Sequence, residues 1–407
     1  MKAGIEDLAL LGGAPAFVHD RRVGRPNQGE RRRFLDRLNR ALDSEWLSNM
    51  GPLSLEFEAR VAEMAGTRHC VSVCNATVGL QLLIGDEATA GEPGDEVLMP
   101  ALTFPATAHA AAWRGLRPVF CDVDPVTGLI DVADMGRRLS PRTRAIVGVH
   151  LWGQACDVRR LEKYAQDAEV RLYFDAAPAL GCTHLDEPIG GFGDAEVFSF
   201  HATKVVNSFE GGAIVTDDDA LAQRLRSARN FGFYDNGSVG MVGTNGKMSE
   251  ASAAMGLTSL ESLDEIVAHN RANHHAYLAA LAEIPGVHVL DYDWRHRNNH
   301  HYLMVTVEPG EAGLDRDLLL RVLGAENILA KPYFFEPLHL MSPYRHPQTP
   351  SLPAAESLCG RLLALPTGPM VSAEDIAVIC QVIQTAVARG GEVTRRAGYE
   401  TTDDTRQ

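Results

Sequence analysis

No apolar run in this sequence approaches the roughly 18 residues that a membrane-spanning helix needs. The opening MKAGIEDLALLGGAPAF could be mistaken for a leader, but Glu6 and Asp7 interrupt an apolar stretch that is already short. The expectation is therefore a cytoplasmic protein. Positive charge is scarce: 38 Lys and Arg face 53 Asp and Glu, a net charge of −15. That balance speaks against nucleic acid and membrane as partners, and any acidic ligand has to be met by local basic groups. Cysteine is sparse too, with seven residues and no Cys-x-x-Cys pair. Cys74, Cys121, Cys182 and Cys380 sit in apolar surroundings, so reduced and mostly buried thiols are expected. His269, His274, His275, His300 and His301 have no cysteine or carboxylate beside them at ligand spacing, and no metal site is expected. No GxxxxGK[ST] loop occurs, and Gly190-Gly191-Phe192-Gly193 does not match a dinucleotide fingerprint.

What is present is an ordinary globular composition, 45% hydrophobic and 22% charged, in a chain of 407 residues that is too long for one core. Residues 1–26 read as an arm, 27–250 as a large domain, 251–390 as a bridging helix with a small carboxyl-terminal domain, and 391–407 as a polar, frayed tail. Strand-like runs occur at His69–Cys74, Glu96–Pro100, Pro118–Val123, Ala145–Leu151, Arg171–Phe174, Ala195–Phe200 and Ala213–Thr216. Helical segments separate most of them, the pattern of a mainly parallel sheet covered on both faces. The last two runs lack a helix between them, so one strand there is expected to be antiparallel. Glu30–Leu42 has a helical pattern with Phe34, Leu35, Leu38 and Leu42 on one face and arginines on the other. A long helix is expected from Ser249 to Ala279, and further strands at Tyr302–Val307 and Ile328–Pro332.

The chemistry-bearing stretch is Phe198–Asp217, where a strand ends in Ser199, His201 and Thr203 around Lys204 and a Glu210-Gly211-Gly212 turn starts the next strand. A lysine with apolar flanks is partly desolvated, which lowers its pKa and suits Schiff-base chemistry; the plain alternative is a loop lysine facing water. Upstream, the strand at Arg171 delivers Asp175 at its carboxyl end, where ligands collect in an α/β sheet. A carboxylate there can hold the protonated ring nitrogen of pyridoxal phosphate while the lysine holds its aldehyde. Cys74-Asn75-Ala76-Thr77 ends a strand and opens a helix whose first amides lack partners. Those amides form a phosphate site, or Asn75 and Thr77 are simply caps.

Eight motifs in order extend the picture: WLSNMGP (Trp46–Pro52), CNATVGLQLL (Cys74–Leu83), MPALTFPATAHA (Met99–Ala110), VGVHLWGQ (Val147–Gln154), FDAA (Phe174–Ala177), SFHATK (Ser199–Lys204), EGGAIVT (Glu210–Thr216) and TNGKMSE (Thr244–Glu250). With them the chain resembles the DegT/StrS nucleotide-sugar aminotransferases, from about Gly24 to Leu365. The resemblance implies the aspartate-aminotransferase fold (fold type I): an α/β large domain with a mostly parallel mixed sheet, plus a smaller α/β domain. It implies pyridoxal 5'-phosphate, with Lys204 as covalent tether and general acid/base and Asp175 on the ring nitrogen. The Ala76 and Thr77 amides, the Thr77 hydroxyl and Ser199 would meet the phosphate, and Phe104 would stack on the ring rather than sit in the core. Asn245, otherwise a turn residue beside Gly246, would reach the cofactor of a neighbouring subunit, so a homodimer with shared active sites follows. Trp46, Asn49, His201, Lys331 and Tyr333 match regions on the sugar-nucleotide side.

One position departs from the pattern: Pro178 stands where the family usually has His or Gln to donate to the cofactor's phenolic oxygen, and proline has no donor. Gln154 or a water is the expected substitute. The implied reaction moves an amino group from L-glutamate to a nucleotide-linked keto-sugar. The SFHATK and EGGAI spellings look most like enzymes converting dTDP-4-keto-6-deoxyglucose to dTDP-4-amino-4,6-dideoxyglucose in deoxyaminosugar biosynthesis of the desosamine kind. Enzymes aminating carbon 3 of a dTDP-3-keto-6-deoxyhexose, the alternative, more often carry Tyr-Pro in place of His201-Ala202. A sugar dehydratase on the same fold would have histidine for Lys204, and a non-catalytic regulator could dispense with Asp175.

Overall fold

A computed structural model describes residues 2–89 and 91–398. Its centre is a seven-stranded sheet made of β1 (His69–Val73), β2 (Glu96–Pro100), β3 (Arg117–Cys121), β4 (Thr143–Val149), β5 (Arg171–Asp175), β6 (Ala195–Ser199) and β7 (Gly212–Thr216), in spatial order β1-β7-β6-β5-β4-β2-β3. All neighbours are parallel except β7, which runs antiparallel to both β1 and β6. The missing helix between the last two runs therefore had the expected consequence. β2 and β7 are buried at every position. Their continuous apolar runs follow from helices covering both faces, where alternation has no solvent side to serve.

The register decides where the chemistry can sit. Asp175 pairs with Val149 on one side and Val197 on the other, at the carboxyl ends of three parallel strands. β7 runs the other way, so its first residue, Gly212, lies at that same end, opposite Ser199 and Val73. The loop bearing Lys204 and the helix Ala76–Ile84 thus open on one edge of the sheet.

A second sheet, β8 (Val287–Val289), β9 (Leu303–Val307) and β10 (Leu362–Leu365), is antiparallel with β9 in the middle. The helix Ala373–Ala388 packs in the same core through Ile376, Ile379 and Ile383. The first 26 residues lie along this unit: Ile5, Leu8 and Phe17 join its core, and Arg21–Arg22 pairs in parallel with Ile328–Leu329. The Glu326 carboxylate ties the segment down, accepting from the Ala9 and Ala16 amides at 2.7 Å each.

Several expectations need correcting. The helix from Ser249 to Ala279 is two, Glu250–Leu260 and Leu263–Leu281. Glu261, at the break, is held by Arg33 and Arg37 across from it, so part of the basic face of Arg31–Asp43 is paired rather than solvated. The apolar stripe of that helix meets the core only in part: Phe34 packs against the core cluster that holds Ala41, whereas Leu35 is 41% and Leu42 52% exposed. The run at Ile328 pairs over only two residues, and the tail begins with a helix, Gly390–Arg396, anchored by the fully buried Val393. Residues 399–407 lie outside the described residues. No single helix among the described residues is long and apolar enough to cross a membrane.

Candidate active site

At the open edge of the sheet lies a cleft of about 270 Å³ whose walls include Ala76, Thr77, Phe104, Asp175, Pro178, Ser199, His201, Lys204, Tyr302 and Tyr333. Asp175 arrives at the end of β5 and is 4% exposed. Its Oδ2 accepts from the Thr107 hydroxyl at 2.8 Å and its Oδ1 from the Ala177 amide at 3.1 Å. Burial raises the carboxyl above its ordinary range, opposed by those two hydrogen bonds and by the nearby Lys204 charge.

Lys204 follows β6 and is held by a turn in which its amide donates to the His201 carbonyl at 2.9 Å. Desolvation lowers its amine below the ordinary lysine value, while Tyr333 and Asp175 pull the other way. Its side-chain hydrogen bond runs to Tyr302 Oη, 3.2 Å away. A desolvated amine that forms no salt bridge is a poor structural feature and a good nucleophile toward an aldehyde.

The helix Ala76–Ile84 points its N-terminus into the cleft. Asn75 is its cap, accepting from the Val78 amide at 2.9 Å, so the capping alternative holds for that residue. The cap leaves the first helical amides, those of Ala76 and Thr77, without intrahelical partners. β7 passes close beneath: a Cβ added at Gly212 would come 2.6 Å from the Ala76 nitrogen, so glycine is required for this approach. Phe104 caps the helix Pro105–Trp113 at the rim and is 61% exposed, which rules out a core role.

Several expected residues are not in the wall. Gln154 does not face the cleft; its Nε2 is buried without a partner. The turn Leu151–Gly153, with Trp152 at φ +56°, presents Leu151 and Trp152 to the cleft instead. Pro178 lines the wall with its carbonyl accepting from Asn299 at 2.9 Å. Lys331 is engaged through its backbone with Ala364 and its side chain is exposed. Trp46, Asn49 and Asn245 are exposed and outside the cleft. They share a neighbourhood: the Glu250 amide donates to the Leu47 carbonyl, and the Glu250 carboxylate accepts from the Leu53 and Ser54 amides at 2.7 and 2.9 Å. Sequence reasoning missed Thr107, although Thr103 and Thr107, four apart, are a legible signal. It also missed Tyr302, for which no local signal exists because it enters from the other sheet.

Residues 28–384 match the model of the DegT/DnrJ/EryC1/StrS aminotransferase family. The chain belongs to that family. It is therefore a pyridoxal-phosphate-dependent sugar aminotransferase, built on the fold that the family resemblance implied. Among solved structures, that of DesI in the presence of its TDP-sugar product is 51% identical, with a TM-score of 0.92 and coverage of 96% of this chain and 99% of that one. A GDP-perosamine synthase of Caulobacter vibrioides is 36% identical over 82% of this chain and 90% of its own. A dTDP-4-amino-4,6-dideoxy-D-glucose transaminase of Shigella dysenteriae is 31% identical over 89% of this chain and 98% of its own. The cleft fits the cofactor. It offers a half-buried, desolvated amine without a carboxylate clamp, a buried carboxylate, and two uncommitted amides packed onto a glycine strand.

Proposed function

We propose that this aminotransferase transfers the amino group of L-glutamate to dTDP-4-keto-6-deoxyglucose, giving dTDP-4-amino-4,6-dideoxyglucose, as a homodimer with shared active sites. The observation that carries the site is the convergence of Lys204 and Asp175 on one cleft from adjacent strands. The substrate rests on the 51% identity to DesI, together with His201-Ala202 where 3-aminotransferases more often carry Tyr-Pro.

When bound, pyridoxal phosphate supplies an aldehyde for the amine and a ring that accepts the electron pair left when the donor's α-proton is removed. Lys204 tethers the aldehyde carbon. Once released, its Nζ would be the base that accepts the donor's α-proton and holds it for return, in the first half-reaction and again, in reverse, on the sugar. Asp175, held by Thr107 and Ala177, would be the counter-charge that keeps the ring nitrogen protonated. The Ala76 and Thr77 amides, the Thr77 hydroxyl and Ser199 hold the phosphate at a helix N-terminus. Phe104 covers the ring at the rim, and His201 and Tyr333 face the sugar. Trp46, Asn49 and Asn245 are exposed and outside the wall of their own cleft, and the Glu250 amide, five residues past Asn245, donates to the carbonyl of Leu47, next to Trp46; exposed residues there suit service to a partner's site.

A GDP-linked 4-keto-6-deoxyhexose is the second substrate reading, favoured by the 36% identity to a GDP-perosamine synthase. NMR of products after incubation with L-glutamate and each of the two keto-sugar nucleotides decides between them. Amination at C4 of the dTDP sugar is expected; amination of the GDP sugar alone, or at C3, overturns the assignment.

A further inference from the structure

Lys204 is gripped from the carboxyl-terminal sheet. His301 Nε2 donates to the Thr203 carbonyl at 2.7 Å, and the next residue, Tyr302, receives the hydrogen bond from Lys204 Nζ at 3.2 Å. Tyr302 is 6% exposed and directly precedes β9. Its ring stands nearly perpendicular to that of Tyr333, with 5.6 Å between centroids. The other titratable groups facing the amine are few. Asp175 acts by charge while its oxygens are committed to Thr107 and Ala177, Tyr333 stands behind Tyr302, and His301 is kept neutral by burial, its pKa pulled down to about 4.

A carboxylate partner would hold the freed lysine as an ammonium salt and spoil it as a base. A phenol both donates and accepts, so it can hold the amine in either protonation state: accepting from the ammonium, donating to the lone pair of the neutral amine. We propose that Tyr302, its ring packed edge-on against that of Tyr333, is the group that holds the released Lys204 amine in position and in readiness for proton transfer. The proton that Nζ takes from the donor carbon stays on Nζ until it is handed on, and Tyr302 keeps its own.

The inference rests on Lys204 being the cofactor-bearing lysine, which borohydride fixation followed by peptide mapping of the native enzyme tests separately. The test of Tyr302 is carbamylation of Lys204 by cyanate across pH in the full chain freed of cofactor, read by mass spectrometry. Tyr302→Phe removes both bonds, of which the one accepted from the ammonium is the stronger, so the midpoint is expected to fall by about one pH unit, and Tyr302→His to recover much of that shift. In the loaded enzyme, Tyr302→Phe should lower kcat about tenfold with KM for glutamate little changed. Should Tyr302→Phe fail to fold by circular dichroism, Tyr302→His, which keeps an acceptor for the ammonium, should fold and leave the midpoint within a few tenths of a unit of the native value, whereas Tyr302→Leu should lower it. A midpoint that stays put in folded Tyr302→Phe or Tyr302→Leu overturns the proposal.

Discussion

The Thr107 hydroxyl donates to Asp175 Oδ2 at 2.8 Å, and no water-exposed group takes part: Thr107 is fully buried and Asp175 nearly so. This contact opposes the burial that pushes the carboxyl upward. Thr107→Val removes it at nearly constant volume, leaving the Ala177 amide as the remaining hydrogen bond. The Asp175 pKa should rise further, so the acidic limb of the kcat/KM profile should move to higher pH by about one unit, since a hydrogen bond to a charged group is worth about 1.5–3 kcal/mol. A pH–rate series on the two proteins checks it.

Asp175 also sets function against stability. Its folded pKa lies above the unfolded value, so in cofactor-free protein its favourable contribution is complete below the unfolded value of 3.8 and is lost as pH rises through the folded pKa. Asp175→Asn should therefore melt at the same temperature as the native chain, or a few degrees higher, at pH 7, with the difference closing below pH 4. With cofactor supplied, the same variant should lose at least ~100-fold in turnover because the ring nitrogen has lost its counter-charge. Thermal melts at two pH values and one rate measurement suffice.

How far these residues were legible follows from their place in the chain. Lys204, Asp175, Ala76 and Thr77 stand at strand ends and a helix start, where periodicity breaks and turn residues cluster, and each lines the cleft. β2 was readable to the residue, since Pro100 and the flanking turn chemistry mark its ends. Gln154 failed because the left-handed Trp152 rotates the chain by a turn that no local pattern announced. The break at Glu261 failed for a similar reason: it is held by Arg33 and Arg37, which are remote in sequence. Tyr302 is contributed by a sheet whose meeting with the Lys204 loop is purely tertiary.

Gly212 gives a backbone test of the phosphate site. A Cβ there would sit 2.6 Å from the Ala76 nitrogen and 2.8 Å from the Asn75 carbonyl carbon, both backbone atoms that cannot swing aside. Gly212→Ala should lift the helix N-terminus off β7, costing about 1–3 kcal/mol of stability. The displaced amides should weaken cofactor binding at least tenfold, measured by fluorescence titration. A matched control, Gly324→Ala, where an added Cβ meets nothing within 4 Å, should leave binding unchanged.

The proposed dimer offers the last test, because two features lie in linked segments. The helix Arg31–Asp43 exposes Leu35 and Leu42, and Trp46 and Leu47 follow at 50% and 51% exposure. The Leu47 carbonyl is tied to Glu250 of the segment that carries Asn245. An apolar strip next to polar residues that avoid their own cleft is what a shared site requires. Light scattering should give twice the 44.2 kDa of one chain. Leu42→Glu, half-exposed in one chain and therefore harmless to its core, should shift the mass toward the monomer and lower cofactor occupancy together. Asn245→Ala should keep the dimer while weakening cofactor affinity about tenfold, as expected for the loss of one hydrogen bond to a charged phosphate. A monomeric native chain with full cofactor occupancy would contradict the shared-site reading.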